Sequence, residues 1–388
     1  MRIVQVITRL ILGGAQQTVI QLCRRFIEQG HEVTLVYGPI YGPEGSLWVQ
    51  AEASGAQLVE LESMRREISP LDDRRCTRQL REMFREMEPD VVHTHSSKAG
   101  ILGRAAAWAE GVQAVVHTIH GLSWHDRQSA LKNRAYLAAE RYAARRCHRL
   151  IAVTPQMKDD FVRRRVAPAD RITVIPSGLD LDRYDLPIAT RERVRRELGI
   201  PDDAPVVGIV ARLDPLKGHD DLLDALPRLR ERFPPLRLMF VGDGWDGDRL
   251  KQRIESEGLS DAVMNMGLVP EGAVPALLSA MDVKVLPSYQ EGQSRTLPEA
   301  LLCGCGVVAY DAGGIGSIVV DGETGRLVPV GDKARLADAI AWMIDHPDER
   351  RRLTAAGAEL IRTRYSEEVM LDAHEALYAE LVAADGRG

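Results

Sequence analysis

Thirteen short apolar runs, each set off from the next by a stretch of about helix length, constrain this chain more than any other feature of its sequence. Seven fall in the first half: "RIVQVIT", "HEVTLVY", "AQLVEL", "VVHTH", "AVVHTIH", "LIAVT" and "ITVIPSG". A charged segment, "TRERVRRELGIPDDAP", follows. The pattern then restarts with "VVGIVAR", "LRLMFVGDG", "VMNMGL", "VKVLPS", "GVVAY" and "GRLVPV". Apolar strands alternating with helices predict parallel sheets covered on both faces, an α/β doubly wound architecture. The restart predicts two such Rossmann-like domains joined near residues 178–205. We divide them as 1–185 and 186–365, with 366–388 a last helix crossing back to the first domain.

Composition narrows the function classes. Hydrophobic residues at 45% and charged residues at 27% are ordinary for a globular protein. Cys23, Cys76, Cys147, Cys303 and Cys305 are odd in number and lack paired CxxC spacing, which favours a reducing, cytoplasmic home over disulfides or zinc. The N-terminal "MRIVQVITRLILGGAQ" is interrupted by Gln5, Thr8 and Arg9 and reads as a first strand, not a signal peptide. No apolar run is long enough to span a membrane. The net charge of −6 is split into about +4 up to Asp185 and about −10 beyond it. The acidic second half argues against a nucleic-acid partner. The Arg-rich helices of the first half could meet an anionic membrane surface peripherally, or be solvated faces balanced by neighbouring acids.

In doubly wound sheets ligands bind beyond the carboxyl ends of strands, so candidate residues are sought there. "VVGIVARLDPLKGHDD" leaves Arg212 at a strand end and Lys217 at the start of a helix near Gly218, a pairing able to clamp a diphosphate. "VGDGWDG" is a literal GxGxxG (Gly242, Gly244, Gly247). It follows the second strand of its domain and lacks an acid at the next strand's end, so we read it as a close-approach turn and not a dinucleotide fingerprint. Asp246/Asp248 and Asp180/Asp182 match a bare D-x-D metal pattern, but we read them as cap or turn residues. Gly13 and Gly14 sit between the first strand and its helix, and "VVHTHSSKAG" presents His95, Ser96 and Lys98. In "VVHTIH", strand alternation places His117 and His120 on opposite faces, unable to share a site, with His120 at the ligand end. "SYQEGQSRTLPEALLCGCG" offers two carboxylates, Glu291 beyond a strand and Glu299 on the next helix. Motifs of serine hydrolases, zincins and P-loop NTPases are lacking.

Taken in order, "GGAQ", "VVHTHSSKAGILGR", "VVHTIHG", "ITVIPSGLD", "ARLDPLKGHDDLLDA", "VGDG", "SYQEGQSRTLPEALLCG" and "GGIGSIVVDGETGRLVP" resemble the retaining glycosyltransferases of family 4 over nearly the whole chain. The resemblance implies the GT-B fold, two Rossmann-like domains facing across a cleft, and a hexosyltransferase using a UDP-, GDP- or ADP-sugar donor. It implies an acceptor that is a glycan, glycolipid or small molecule, as in cell-surface polysaccharide or glycolipid synthesis; no metal or other cofactor is expected, because helix amides with Arg212 and Lys217 can supply the charge that a metal supplies elsewhere. The second domain would hold the donor and the first the acceptor. Catalytic roles fall to His120, Arg212, Lys217 and Glu291: Arg212 and Lys217 on the diphosphate, Glu291 on the donor sugar, and His120 beside that sugar. Donor contacts fall to Gly13, Gly14, Gly242, Gly244, Ser294, Arg295, Thr296, Leu297 and Glu299, the last on the ribose, and acceptor contacts to His95 and Lys98. The chain departs from the family at Ser177, where Asn is common, and at Gly316-Ser317, where Pro-Glu is common. A nucleotide-sugar epimerase and a non-catalytic sugar-nucleotide-binding subunit are the competing readings.

Overall fold

The computed structural model describes residues 1–41, 45–124, 128–187 and 189–385. The chain forms two compact units, one of Met1–Gly178 together with the C-terminal helix, the other of Leu179–Ser366. In the first unit the strands are β1 (Arg2–Arg9), β2 (Glu32–Gly38), β3 (Gln57–Glu60), β4 (Val91–His95), β5 (Ala114–Ile119), β6 (Arg149–Ala152) and β7 (Ile172–Val174). Helices α1 (Gly14–Glu28), α2 (Trp48–Ala53), α3 (Pro70–Met87), α4 (Ser97–Ala109), α5 (Ala130–Ala144) and α6 (Pro155–Arg163) alternate with them. In the second unit α7 (Ala189–Glu197) leads into β8 (Val206–Val210), α8 (His219–Arg232), β9 (Arg237–Val241) and α9 (Gly247–Ser256). Strand β10 (Val263–Asn265), α10 (Val274–Ala280), β11 (Val283–Leu286), α11 (Thr296–Leu302), β12 (Gly306–Tyr310) and β13 (Arg326–Val328) come next. Helices α12 (Lys333–Asp345) and α13 (Pro347–Arg364) close the second unit, and α14 (Glu367–Asp385) belongs to the first.

Every one of the thirteen apolar runs forms a strand, and all pairings are parallel. The sheet orders are β3-β2-β1-β4-β5-β6-β7 and β10-β9-β8-β11-β12-β13. Chain direction across each sheet reverses at one place, between β1 and β4 in the first and between β8 and β11 in the second. Those are the topological switch points, where neighbouring loops splay apart and leave a crevice at the carboxyl ends.

The first unit ends at Gly178 rather than at 185. "GLDLDRYDLP" is assigned by sequence to the first domain up to 185, yet Leu179 and Tyr184 are buried in the second unit's core, and the Leu179 amide donates to the Tyr365 carbonyl at 2.8 Å. Helix α14 packs on α1. Tyr378 stacks on Phe26 with ring centroids 5.0 Å apart, and Met370, Leu371 and Leu377 join the same core as Ile3, Ile7 and Leu22. Around that seam Gln21 donates to Glu367 at 2.8 Å, Arg25 pairs with Asp372 at 2.8 Å and Arg149 with Glu380 at 2.9 Å.

Candidate functional site

In the second unit, the candidates gather at the β8/β11 switch point. Strand β8 runs out into Arg212, which is exposed, and then into a single turn over Pro215–Lys217. Asp214 opens that turn by accepting from the Leu216 amide at 2.8 Å, and Gly218 closes it at φ 74°. A Cβ on Gly218 would lie 2.0 Å from the Pro287 carbonyl oxygen, so only glycine lets the β8 loop press against the loop after β11. The Tyr289 amide ties the two loops by donating to the Leu216 carbonyl at 2.8 Å.

This seam brings Lys217 Nζ to 2.6 Å from Glu291 Oε1, with side chains 20% and 11% exposed. A cation read as phosphate-binding and a carboxylate read as sugar-binding are thus one ion pair. Asp220 and Asp221, in the first turn of α8, would repel an anion, but both are engaged. Asp220 pairs with Arg249 and Arg253, and Asp221 accepts from Tyr289 and Tyr310, each at 2.8 Å.

Glu299 sits one turn into α11 and is buried. Burial pushes its carboxyl above the usual carboxylate range, against the pull of Arg295 one turn earlier and of the Tyr184 hydroxyl that donates to it. Tyr184 is a site residue that sequence reasoning missed, lying at the junction in the part assigned to the first domain. Ser294 lies just before α11, its hydroxyl 3.4 Å from the Leu297 amide and 3.5 Å from Thr296 Oγ1. The Leu297 side chain lies in the apolar core, and its amide is 3.4 Å from the Ser294 hydroxyl. Gly242 and Gly244 are packed against backbone, where a Cβ would lie 2.1 Å from the Ala211 carbonyl oxygen and 2.3 Å from that of Leu213. Their smallness serves the approach of the β9 loop to the loop carrying Arg212.

Lys284, in the middle of β11, was also missed. It is fully buried with no hydrogen-bond partner at Nζ, and desolvation pushes its ammonium down to about 7, with Glu291 pulling it back up. The signal was one lysine inside an apolar run.

In the first unit, His120 lies just past β5 and lines a cavity of about 330 Å³ with Ser96, Ser97, Thr118, Trp124 and His117. Both rings reach the edge of this cavity, yet His120 meets His95 whereas His117 meets Thr94, the neighbour of His95 on the other face of β4, in keeping with strand alternation. Gly13 precedes α1 with extended φ, and Gly14 begins the helix. The acceptor assignments are corrected by burial. His95 is fully buried, with one ring nitrogen 3.0 Å from His120 and the other 2.9 Å from Gln5 Oε1. Lys98 is held by Asp73. Neither is placed to meet an acceptor directly.

Several of the arginines considered for membrane contact are paired, Arg81 and Arg85 with Glu110, and Arg163 and Arg164 with Asp160. Among the described residues no helix is long and apolar enough to cross a membrane, and no group of three or more His, Cys, Asp or Glu could hold a metal ion. Asp246 of the D-x-D match is held by Arg249.

Residues 12–183 match the family model Glycosyltransferase Family 4 and residues 190–360 match Glycosyl transferases group 1. The chain is 31% identical over 322 residues to the 2-deoxystreptamine N-acetyl-D-glucosaminyltransferase of Streptomyces fradiae, covering 78% of this chain and 74% of that one. It is 30% identical over 283 residues to the UDP-Gal:alpha-D-GlcNAc-diphosphoundecaprenol alpha-1,3-galactosyltransferase of Escherichia coli, covering 72% and 73%. Among solved structures, Anabaena HepE in complex with UDP-glucose superposes with a TM-score of 0.82 at 22% identity over 99% of this chain and 100% of that one. Sucrose-phosphate synthase from Thermosynechococcus elongatus gives 0.83 at 23% identity over 99% and 100%.

Proposed function

Since the chain belongs to the group 1 glycosyltransferases and shares their GT-B fold, we propose that it moves a sugar from a UDP-sugar to a hydroxyl of a glycan, glycolipid or small-molecule acceptor, with retention of anomeric configuration and without a metal. The observation that carries this reading is the Lys217–Glu291 pair at the head of α8, with Glu299 buried on α11 of the same unit. A nucleoside diphosphate gains negative charge as its bond to the sugar breaks, so a group aimed at it acts most strongly in the transition state. Arg212, Lys217 and the free amides of α8 supply positive charge in the place a metal occupies in other transferases. Glu299, as carboxylate, accepts from the two ribose hydroxyls. Glu291 accepts from the sugar, and His120 also serves the transfer.

The donor base follows the relatives, since the E. coli enzyme is named for UDP-Gal and HepE is crystallised with UDP-glucose. Those relatives are transferases, and the epimerase and subunit readings gain no comparable support. The cysteines, all free and four of them buried, suit the reducing cytoplasm, where such donors would be met, with any membrane contact peripheral. A thermal-shift series with UDP, GDP and ADP, then turnover of the matching sugars with and without acceptors, tests the reading. Binding without transfer to any acceptor, or free epimer as the only product, would overturn it.

A further inference from the structure

Lys284 has no part in the roles assigned above, yet its place in the fold is an unfavourable one for an ammonium. It is the second residue of β11, in register with Val307 of β12 and Gly208 of β8, inside the sheet. Val283 and Val285 belong to one apolar cluster of the second unit and Leu286 to the other. Strand alternation therefore puts the Lys284 stem with Leu286, on the side that Leu297, Ala300 and Leu301 of α11 cover. The side chain is 0% exposed, and among the described residues Nζ has no hydrogen-bond partner. A methionine would fill the same place without a buried charge to stabilise, so the fold alone gives no reason for a lysine.

The ionisable groups acting on this amine are Glu291 in the loop after β11, Lys217 in the loop after β8, Cys305 just before β12 and Glu299 on α11. Desolvation drives the ammonium down to about 7, and Glu291 draws it back up against Lys217. Cys305 stays a neutral thiol, which burial pushes up to about 12, and burial also raises Glu299. Glu291 is the partner that matters most to Lys284. It stands between two lysines, Lys217 in contact at 2.6 Å and Lys284 acting through space.

A diphosphate arriving at Lys217 changes that balance. Lys217 turns part of its charge to the phosphate, Glu291 is left less neutralised, and the negative charge of the ligand itself favours a cation nearby. We propose that Lys284 is a positioning residue for the donor, binding a proton from solvent as the nucleoside diphosphate binds, so that its ammonium balances Glu291 while Lys217 serves the phosphate. The neutral amine gains one proton, and no other bond forms or breaks. The inference rests on the reading that Lys217 meets a nucleoside diphosphate. It adds that the donor draws a proton into the sheet.

Calorimetric titration of the intact protein with UDP, just above neutral pH and in buffers of different ionisation heat, counts the protons exchanged. Wild type should take up about half a proton per UDP more than Lys284→Met, a variant that retains the ionisations of UDP and of Glu299. Melting without ligand separates a folding fault from the proposal. The folded-state value of the amine lies below its unfolded one, so its cost in stability is full below about 7 and fades as pH rises toward the ordinary lysine range. Lys284→Met should therefore melt higher than wild type at neutral pH, with a gap that narrows in alkali. Lys284→Gln repeats the proton count should methionine disturb the packing. UDP binding with equal proton counts in wild type and both variants would overturn this proposal alone, as would a Lys284→Met protein that melts lower than wild type at neutral pH. UDP that fails to bind wild type would sink the UDP-sugar reading, and this proposal with it.

Discussion

Replacing Glu291 by glutamine should tighten binding of a bare nucleoside diphosphate while slowing transfer. Lys217 Nζ and Glu291 Oε1 are 2.6 Å apart with both side chains largely shielded from solvent, so an arriving diphosphate must share a lysine already neutralised and must also approach the carboxylate. Unit charges roughly 4 Å apart interact by ~1 kcal/mol in a water-like medium and ~4 kcal/mol at a protein-like dielectric. Because both groups retain some exposure, the gain from deleting the carboxylate charge belongs near the lower figure, about 1 kcal/mol or roughly fivefold in Kd. Glutamine keeps an oxygen that accepts from Lys217, so the loop geometry should survive. Calorimetry with UDP on wild type and E291Q measures the change, and the advantage should shrink in high salt. In the same variant kcat should fall, since the neutral amide serves the sugar poorly as positive charge develops at the anomeric carbon. A UDP affinity that is unchanged or weaker in E291Q would show that Glu291 does not hold Lys217 back, and the competition argued here would be wrong.

Lys217→Ala should lower kcat/KM by about tenfold to a hundredfold, while chelation with EDTA changes the wild-type rate little; steady-state kinetics with and without Mg²⁺ decides both. Glu299→Gln should weaken UDP by ~1.5–3 kcal/mol. Because burial raises the folded-state pKa of Glu299, its ionisation costs stability as pH climbs from the ordinary carboxylate value through the raised one; above that window the variant should melt higher than wild type, and in wild type UDP binding should weaken as pH falls through the raised value. Melting curves and titrations across pH read both. Arg104 and Glu140 form a pair at 2.9 Å with side chains 0% and 6% exposed, so Arg104→Ala, which strands a buried carboxylate, should cost about 3–5 kcal/mol in denaturant unfolding. Any binding to anionic vesicles should be released by salt; cosedimentation that persists in high salt would refute a peripheral electrostatic contact.

The inner strands were legible because buried parallel strands must be apolar throughout, and the partly buried edge strands β3, β10 and β13 through their place in the alternation. The loops at the switch points were legible for a related reason, since Arg212, Lys217, Glu291 and His120 are polar residues placed directly after apolar runs. What failed were inferences needing partners distant in sequence. His95 looked available at a strand end, but β4 is an interior strand and Gln5 and His120 take up its ring. Lys217 and Glu291 were given separate duties because the contact that joins them depends on Gly218 pressing against Pro287. Tyr184 and Leu179 lay in a stretch whose charges outweighed its two buried side chains, which moved the boundary.

The return of α14 to the first unit also sets an order of events during synthesis. The ribosome releases the first sheet, then the whole of Leu179–Ser366, and only afterwards the residues that cover Phe26 and Ile7 and bring Tyr378 to Gln5. The second unit is closed within one continuous segment and can fold as it emerges, whereas the first must wait with an apolar seam open. A chaperone or an aggregating neighbour would meet the nascent chain at that seam. Translation arrested at Ser366 should therefore yield a protease-resistant second unit attached to a first unit that is still digestible.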